Sequence, residues 1–141
     1  DDPATLHQCS SKKEVDLAIC ANEDKVVILR FGHAADAACV ELDRIFEKAA
    51  VLLSRMAAIY LVDAASIPEY VSAFDVAVFP STIFFFNGVH MKVDSSSPDH
   101  SKFVGVFQEV QDLIDLVEVI YKGALHGKFI VTSPIPAERV P

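Results

Sequence analysis

Glycine is scarce, with five among 141 residues, and neither the G-x-G-x-x-G nor the G-x-x-x-x-G-K-S/T pattern occurs. The backbone cradle that holds nucleotide phosphates is therefore missing, and nucleotide use has no support. Basic residues are few as well, twelve Lys and Arg against twenty Asp and Glu, for a formal net charge of −8. Such a surface repels a phosphate backbone, so no direct nucleic-acid binding is expected. The longest apolar stretches, such as Ala57 to Val62 and Ile83 to Phe86, fall far short of the ~20 residues a membrane-spanning helix needs. No membrane association is expected. The start, Asp1-Asp2-Pro3, lacks the basic flank and apolar run of a secretory signal, and the missing initiator Met leaves upstream processing open. Cysteines number three, Cys9, Cys20 and Cys39, with no close pair. That suits reduced thiols in the cytosol or nucleus rather than a secreted disulfide framework. His7 and Cys9 sit two apart, but no second close pair completes a four-ligand zinc site, so no metal is expected.

What is present is hydrophobic: 52% of residues against 23% charged, enough to bury the core of one domain. Ser11 and Glu14 have the spacing of a capping box and predict a first helix with Val15, Ala18 and Ile19 on its apolar face. Lys25 to Phe31 (KVVILRF) is a β-branched run suited to a central strand covered on both faces. Leu42, Ile45, Phe46, Ala49, Leu53 and Met56 recur at helical spacing and predict a long helix from Ala37 to Arg55, followed by a strand over Met56 to Asp63. Ser66-Ile67-Pro68-Glu69 reads as a second capping box opening a short helix to Phe74. Asn87-Gly88 between Thr82–Phe86 and Val89–Asp94 predicts a tight antiparallel hairpin. After the polar loop Ser95 to Asp99, Glu109 to Tyr121 predicts the last helix, stopped by Gly123. Lys128 to Val131 then offers an edge strand, and Pro134, Pro136 and Pro141 forbid regular structure at the end. Phe84-Phe85-Phe86, which could suggest base stacking, reads as core because no basic surface surrounds it.

Strands alternating with helices, then a hairpin and a final helix, imply an α/β fold. The expected sheet is mixed, with four or five strands, Val26 to Phe31 central and helices on both faces. With a short first strand near Thr5 to Gln8, the order resembles that of thioredoxin. The resemblance becomes specific where Arg30-Phe31 is followed by Gly32-His33-Ala34-Ala35-Asp36-Ala37-Ala38-Cys39, and where Val78-Phe79-Pro80-Ser81-Thr82 opens the hairpin. Thioredoxins carry Cys-x-x-Cys at this helix start, where the N-terminus lowers the first thiol's pKa. Here the segment is Asp36-Ala37-Ala38-Cys39, and only the second sulfur survives. Asp36 reads as a helix cap without sulfur for a mixed disulfide, and Cys39 as a buried thiol. The resemblance implies a cis Phe79–Pro80 bond with Pro80 beside this loop. It also puts a buried acid where Arg30 stands. Arg30 cannot manage protons, so it reads as a strand side chain paired with a carboxylate. Without any Trp, no indole rims the loop. His33 with Cys39 and Asp36 has the wrong spacing for a nucleophilic triad.

Among degenerate thioredoxins, the chain is similar to the Dim family of spliceosomal proteins, which carry an Asp-x-x-Cys loop after an Arg-Phe-Gly strand end. The segments SSKKEVD (Ser10 to Asp16), MAAIYLVD (Met56 to Asp63), PSTIFFFNG (Pro80 to Gly88), HMKVD (His90 to Asp94), SPDHSKFVG (Ser97 to Gly105) and VIYKGALHGKFIVTSPI (Val119 to Ile135) carry that resemblance. Ser81 stands where the family's principal paralogue has Cys, and Ala34, Ala35, Ala37 and Ala38 replace the proline and larger side chains usual in the loop. The resemblance implies a nuclear, noncatalytic component of pre-mRNA splicing without cofactors. Its implied partners are splicing-factor proteins, including a tetratricopeptide scaffold of the tri-snRNP, with self-association as a further option. The alternative is an enzyme, either a monothiol redox protein using Cys39 or a hydrolase with an unrecognised site. Residues 1–124 are expected to form the thioredoxin-like domain and residues 125–141 an extension packed on or beside it. Phe129, Ile130 and Val131 need a surface to cover, and they read as partner-binding residues rather than simple edge protection.

Overall fold

A computed structural model describes residues 5–95 and 99–140; residues 1–4, the middle of the Ser95-to-Asp99 loop and Pro141 lie outside them. The elements in chain order are β1 (His7–Cys9), α1 (Lys12–Ala21), β2 (Val26–Gly32), α2 (Ala37–Leu53), β3 (Ala57–Asp63), α3 (Pro68–Ala73), β4 (Ser81–Phe86), β5 (Val89–Asp94), β6 (Phe103–Val104), α4 (Val110–Leu125) and β7 (Ile130–Thr132). One mixed sheet runs β1-β3-β2-β4-β5-β7, with β6 also on β4. Among the described residues it has seven strands where four or five were expected: β7 answers to the edge strand offered by Lys128 to Val131, and β6, two residues long, is too short to show a period of two.

β2 is buried along its whole length, with β3 parallel on one side (Ile28 opposite Ile59) and β4 antiparallel on the other (Ile28 opposite Phe84). Its side chains alternate between two cores, as the pleat requires. Val26 and Ile28 join Leu42 and Phe46 of α2 and Leu113, Leu116 and Val117 of α4, while Val27, Leu29 and Phe31 join Val15 of α1, Ile67 and Ile83. Helices α2 and α4 thus cover one face of the sheet, α1 and α3 the other. Phe84, Phe85 and Phe86 are all buried in these cores. The hairpin between β4 and β5 turns on Asn87 (φ +48°) and Gly88 (φ +81°), the two left-handed positions that a tight turn of this hand needs.

Three helix signals resolve differently from the expectation. Ser11 caps α1 by accepting from the Glu14 amide, and the Glu14 carboxylate reaches back to the Ser11 hydroxyl at 3.3 Å as expected but takes the Ser10 amide, at 2.9 Å, beyond the cap. Ser66 does not cap α3: its hydroxyl donates to Asp63 at 2.7 Å, and Asp63 caps a single turn over Ala64–Ser66 instead. Gly123 lies inside α4, which ends two residues later. Gly127, at φ +79°, supplies the left-handed stop, with the Gly127 amide on the Ala124 carbonyl and the Lys128 amide on the Gly123 carbonyl, both at 2.9 Å.

After that stop the chain doubles back along α4. β7 pairs in parallel with β5, Val93 opposite Val131. A Cβ on Gly123 would lie 2.6 Å from a Val131 methyl, so the glycine is what lets β7 seat against the helix. Ile135 joins the core under α4. Arg139 then grips Asp112 in the first turn of α4 through two 3.0 Å hydrogen bonds.

Candidate functional site

β2 delivers Arg30, Phe31 and Gly32 to one end of the sheet, and the chain turns through His33 to Asp36, whose amide donates to the His33 carbonyl at 3.1 Å. Asp36 caps α2, its carboxylate accepting from the Cys39 amide at 3.1 Å. Hydrogen bonds from the Cys39 thiol and backbone hold the Asp36 carboxyl below the usual carboxylate range. Cys39 is fully buried. Burial pushes its thiol pKa up, outweighing a backbone hydrogen bond at His33, and the Asp36 carboxylate adds to the rise. A protonated, buried thiol is a poor nucleophile. All three cysteines are free, and Cys9 belongs to the core on the sheet face opposite α2.

Beneath the loop, Arg30 is 4% exposed and forms a two-pronged pair with Asp43 of α2, Nε to Oδ1 at 2.9 Å and Nη2 to Oδ2 at 2.8 Å. A buried guanidinium needs such a fork to offset its lost hydration. Gly32 makes the packing feasible: a Cβ there would meet the Cys39 sulfur at 2.5 Å and Arg30 Nη1 at 2.8 Å. Thr82 lies opposite Arg30 in the β2–β4 register, and its buried hydroxyl has no hydrogen-bond partner among the described residues. The Phe79–Pro80 bond is cis, and the Phe79 ring meets the His33 ring edge-on at 4.7 Å. A cleft of about 390 Å³ opens between His33–Ala35 and the Gln8–Ser10 end of β1.

The remaining sequence candidates fall elsewhere. The His7 ring stacks on Tyr60 at 4.9 Å, and Cys9, two residues further along β1, is buried. Among the described residues, no cluster of three or more His, Cys, Asp or Glu side chains could hold a metal ion. At the far edge of the sheet Phe129 (62%) and Ile130 (42%) are exposed, whereas Val131 turns inward onto Gly123.

Asp43 escaped the sequence reading, although a signal for it exists. It lies one turn past Cys39, beside Leu42 and Phe46 on an otherwise buried helical stripe, where an acid requires a partner. Asp112 carries the same signal, an acid among the buried Leu113, Leu116 and Val117 of α4, but its partner Arg139 lies 27 residues further along the chain.

An Asp-x-x-Cys helix start after a strand ending in Arg-Phe-Gly, with a cis proline before β4, is accompanied by a match of residues 5–137 to the family described as Mitosis protein DIM1. The chain belongs to the DIM1 family. Thioredoxin-like protein 4B of Mus musculus is 57% identical over 136 residues, covering 96% of this chain and 91% of the relative. The mitosis protein dim1 of Schizosaccharomyces pombe is 32% identical, covering 85% and 84%. The spliceosomal protein DIB1 of Eremothecium gossypii is 31% identical over the same shares. Solved thioredoxins share the fold: that of Malassezia sympodialis superposes with a TM-score of 0.65 at 19% identity, covering 83% of this chain and 91% of that one. A thioredoxin variant from Halobacterium salinarum gives 0.67 at 23%, covering 84% and 92%. The DIM1 match extends through β7 to residue 137, so it takes in most of the segment that doubles back over α4.

Proposed function

We propose that this chain is a noncatalytic protein-interaction component of nuclear pre-mRNA splicing, associated with the tri-snRNP. The carrying observation is the Asp36–Cys39 helix start. An oxygen cap stands where disulfide exchange needs an attacking sulfur, and the remaining thiol is buried and protonated. The splicing context is supported by the spliceosomal DIB1 relatives. A tetratricopeptide scaffold protein is the proposed partner, with Phe129 and Ile130 as contact residues and Val131 as the anchor that presents them.

Two measurements test this reading. The wild-type chain should reduce insulin no faster than a buffer control, and robust turnover abolished by Cys39→Ser would show a monothiol enzyme instead. Affinity purification from nuclear extract should recover splicing proteins, including the scaffold. Their absence beside an enriched oxidoreductase system would sink the splicing role.

A further inference from the structure

Among the described residues β7 is the last strand of the sheet, with only one of its edges used. The Phe129 carbonyl accepts from the Lys92 amide and the Ser133 amide reaches the Asp94 carbonyl, each at 2.8 Å. Bonds in a parallel pair come from alternate residues, so Phe129, Val131 and Ser133 serve β5, and the N–H and C=O groups of Ile130 and Thr132 face outward. Beside that edge runs a groove of about 640 Å³ between β7 and the last turns of α4. Its charged lining side chains are Lys122 and Lys128, with the polar His126 ring between them, and among the described residues no Asp or Glu lines it. In a chain of net charge −8 this is a local reversal of sign. The Lys122 side chain is 68% exposed and its ammonium pairs with Glu118 at 3.5 Å; the His126 ring is oriented by its Nδ1 hydrogen bond to the Lys122 carbonyl.

We propose that this groove binds an extended acidic segment of a partner protein, which adds as a strand to the outer edge of β7. The proposal rests on the reading of this chain as an interaction module and names the chemistry of its partner. A polypeptide strand is the occupant because outward donors and acceptors at Ile130 and Thr132 recur at the two-residue period of a strand. The segment is acidic on one face because every second side chain of the added strand would point toward α4 and the Lys122 and Lys128 ammonium groups. The intervening side chains would lie beside Ile130, which favours β-branched residues there. At physiological ionic strength fields decay over ~8 Å, so the charge that such a segment meets is set by the side chains lining the groove. A second copy of this chain is disfavoured, since a two-fold contact would bring the same cations face to face.

The test is an amide-resolved NMR titration of the full chain with a capped octapeptide of alternating Glu and Val. The Ile130 and Thr132 amides should shift and exchange at least tenfold more slowly with solvent. The Lys122→Glu/Lys128→Glu double variant should bind at least tenfold more weakly. Thr132→Pro, which deletes one outward donor and leaves the β5 bonds in place, should do the same with its β5 amides still protected. The proposal is overturned if an alternating Lys and Val peptide binds as well. It is equally overturned if octauridylate perturbs the same amides more strongly, or if those amides shift with protein concentration alone, which would mark a self-interface. Nuclear-extract purification separates this from the splicing role. Equal recovery of splicing proteins by wild type and the double variant removes the groove and leaves the role standing. Peptide binding without such recovery does the reverse.

Discussion

At one end of the sheet, the missing Cβ of Gly32 admits the Cys39 sulfur and the Arg30 side chain; near the other, the missing Cβ of Gly123 admits Val131. Each region also holds a forked Arg–Asp pair, Arg30 with Asp43 and Arg139 with Asp112. The construction is shared, but the outcomes differ. At the first, the ion pair locks α2 against β2 and the thiol is sealed under its own cap. At the second, the contacts fasten an additional strand, and that strand leaves an unpaired edge and two exposed apolar side chains. A close glycine contact with a buried ion pair is thus a fastening device, and its consequence depends on whether the fastened part is already inside the sheet or is its last strand.

The largest expected effect comes from ending the chain at Gly127. Val131 and Ile135 leave the core, each worth about 1.5–3 kcal/mol of burial, and Asp112 loses its partner. Urea unfolding should therefore show a loss of about 3–6 kcal/mol, and a loss below about 1 kcal/mol would mean the segment is not fastened as described. Asp43→Ala strands the buried Arg30 charge and should cost about 3 kcal/mol. The paired change Arg30→Met with Asp43→Leu should recover most of that, and failure to do so would place the cost in packing rather than charge. Gly32→Ala forces a methyl onto Cys39 and Arg30 and should destabilise by about 2 kcal/mol. Adding Cys39→Ala should relieve part of this, and strict additivity in the double-mutant cycle would contradict the contact.

The smallest effect concerns pH. Burial, with the Glu14 charge adding, pushes the Cys9 thiol from its ordinary value near 9 up to about 11. A pKa raised by folding contributes stability that is complete below pH 9 and fades as pH rises toward 11. Cys9→Ala should therefore flatten the fall in unfolding free energy over that window. Iodoacetamide at pH 8 should label exposed Cys20 first, with Cys9 and Cys39 following only as the chain unfolds.

Much of the loop end was legible because its signals are local. The Asp36 cap needs only three residues of chain, and an arginine in a buried strand announces a carboxylate without saying which one. The cis Phe79–Pro80 bond came from family resemblance rather than from residue spacing. Asp43 needed the helical stripe to be read for its one misfit. At the other end Gly123 read as a stop because glycine near a helix terminus usually is one; only the approach of Val131 from eight residues onward reveals a contact site.

By itself, the sequence determined the alternation of strands and helices, the central β2, the Asn87-Gly88 hairpin and the loss of a paired thiol, since each depends on periodicity, local backbone preference or the presence of a given atom. The tertiary structure alone decided that Arg30 finds Asp43, that β7 pairs in parallel with β5, that Arg139 closes on Asp112, and that Lys122, His126 and Lys128 line one groove beside an open edge. Those pairings join residues or strands 13 to about 40 positions apart, and no local preference carries information over that distance. They are selected by what the packed sheet brings within reach and by the cost of leaving a buried charge or a strand edge unmatched.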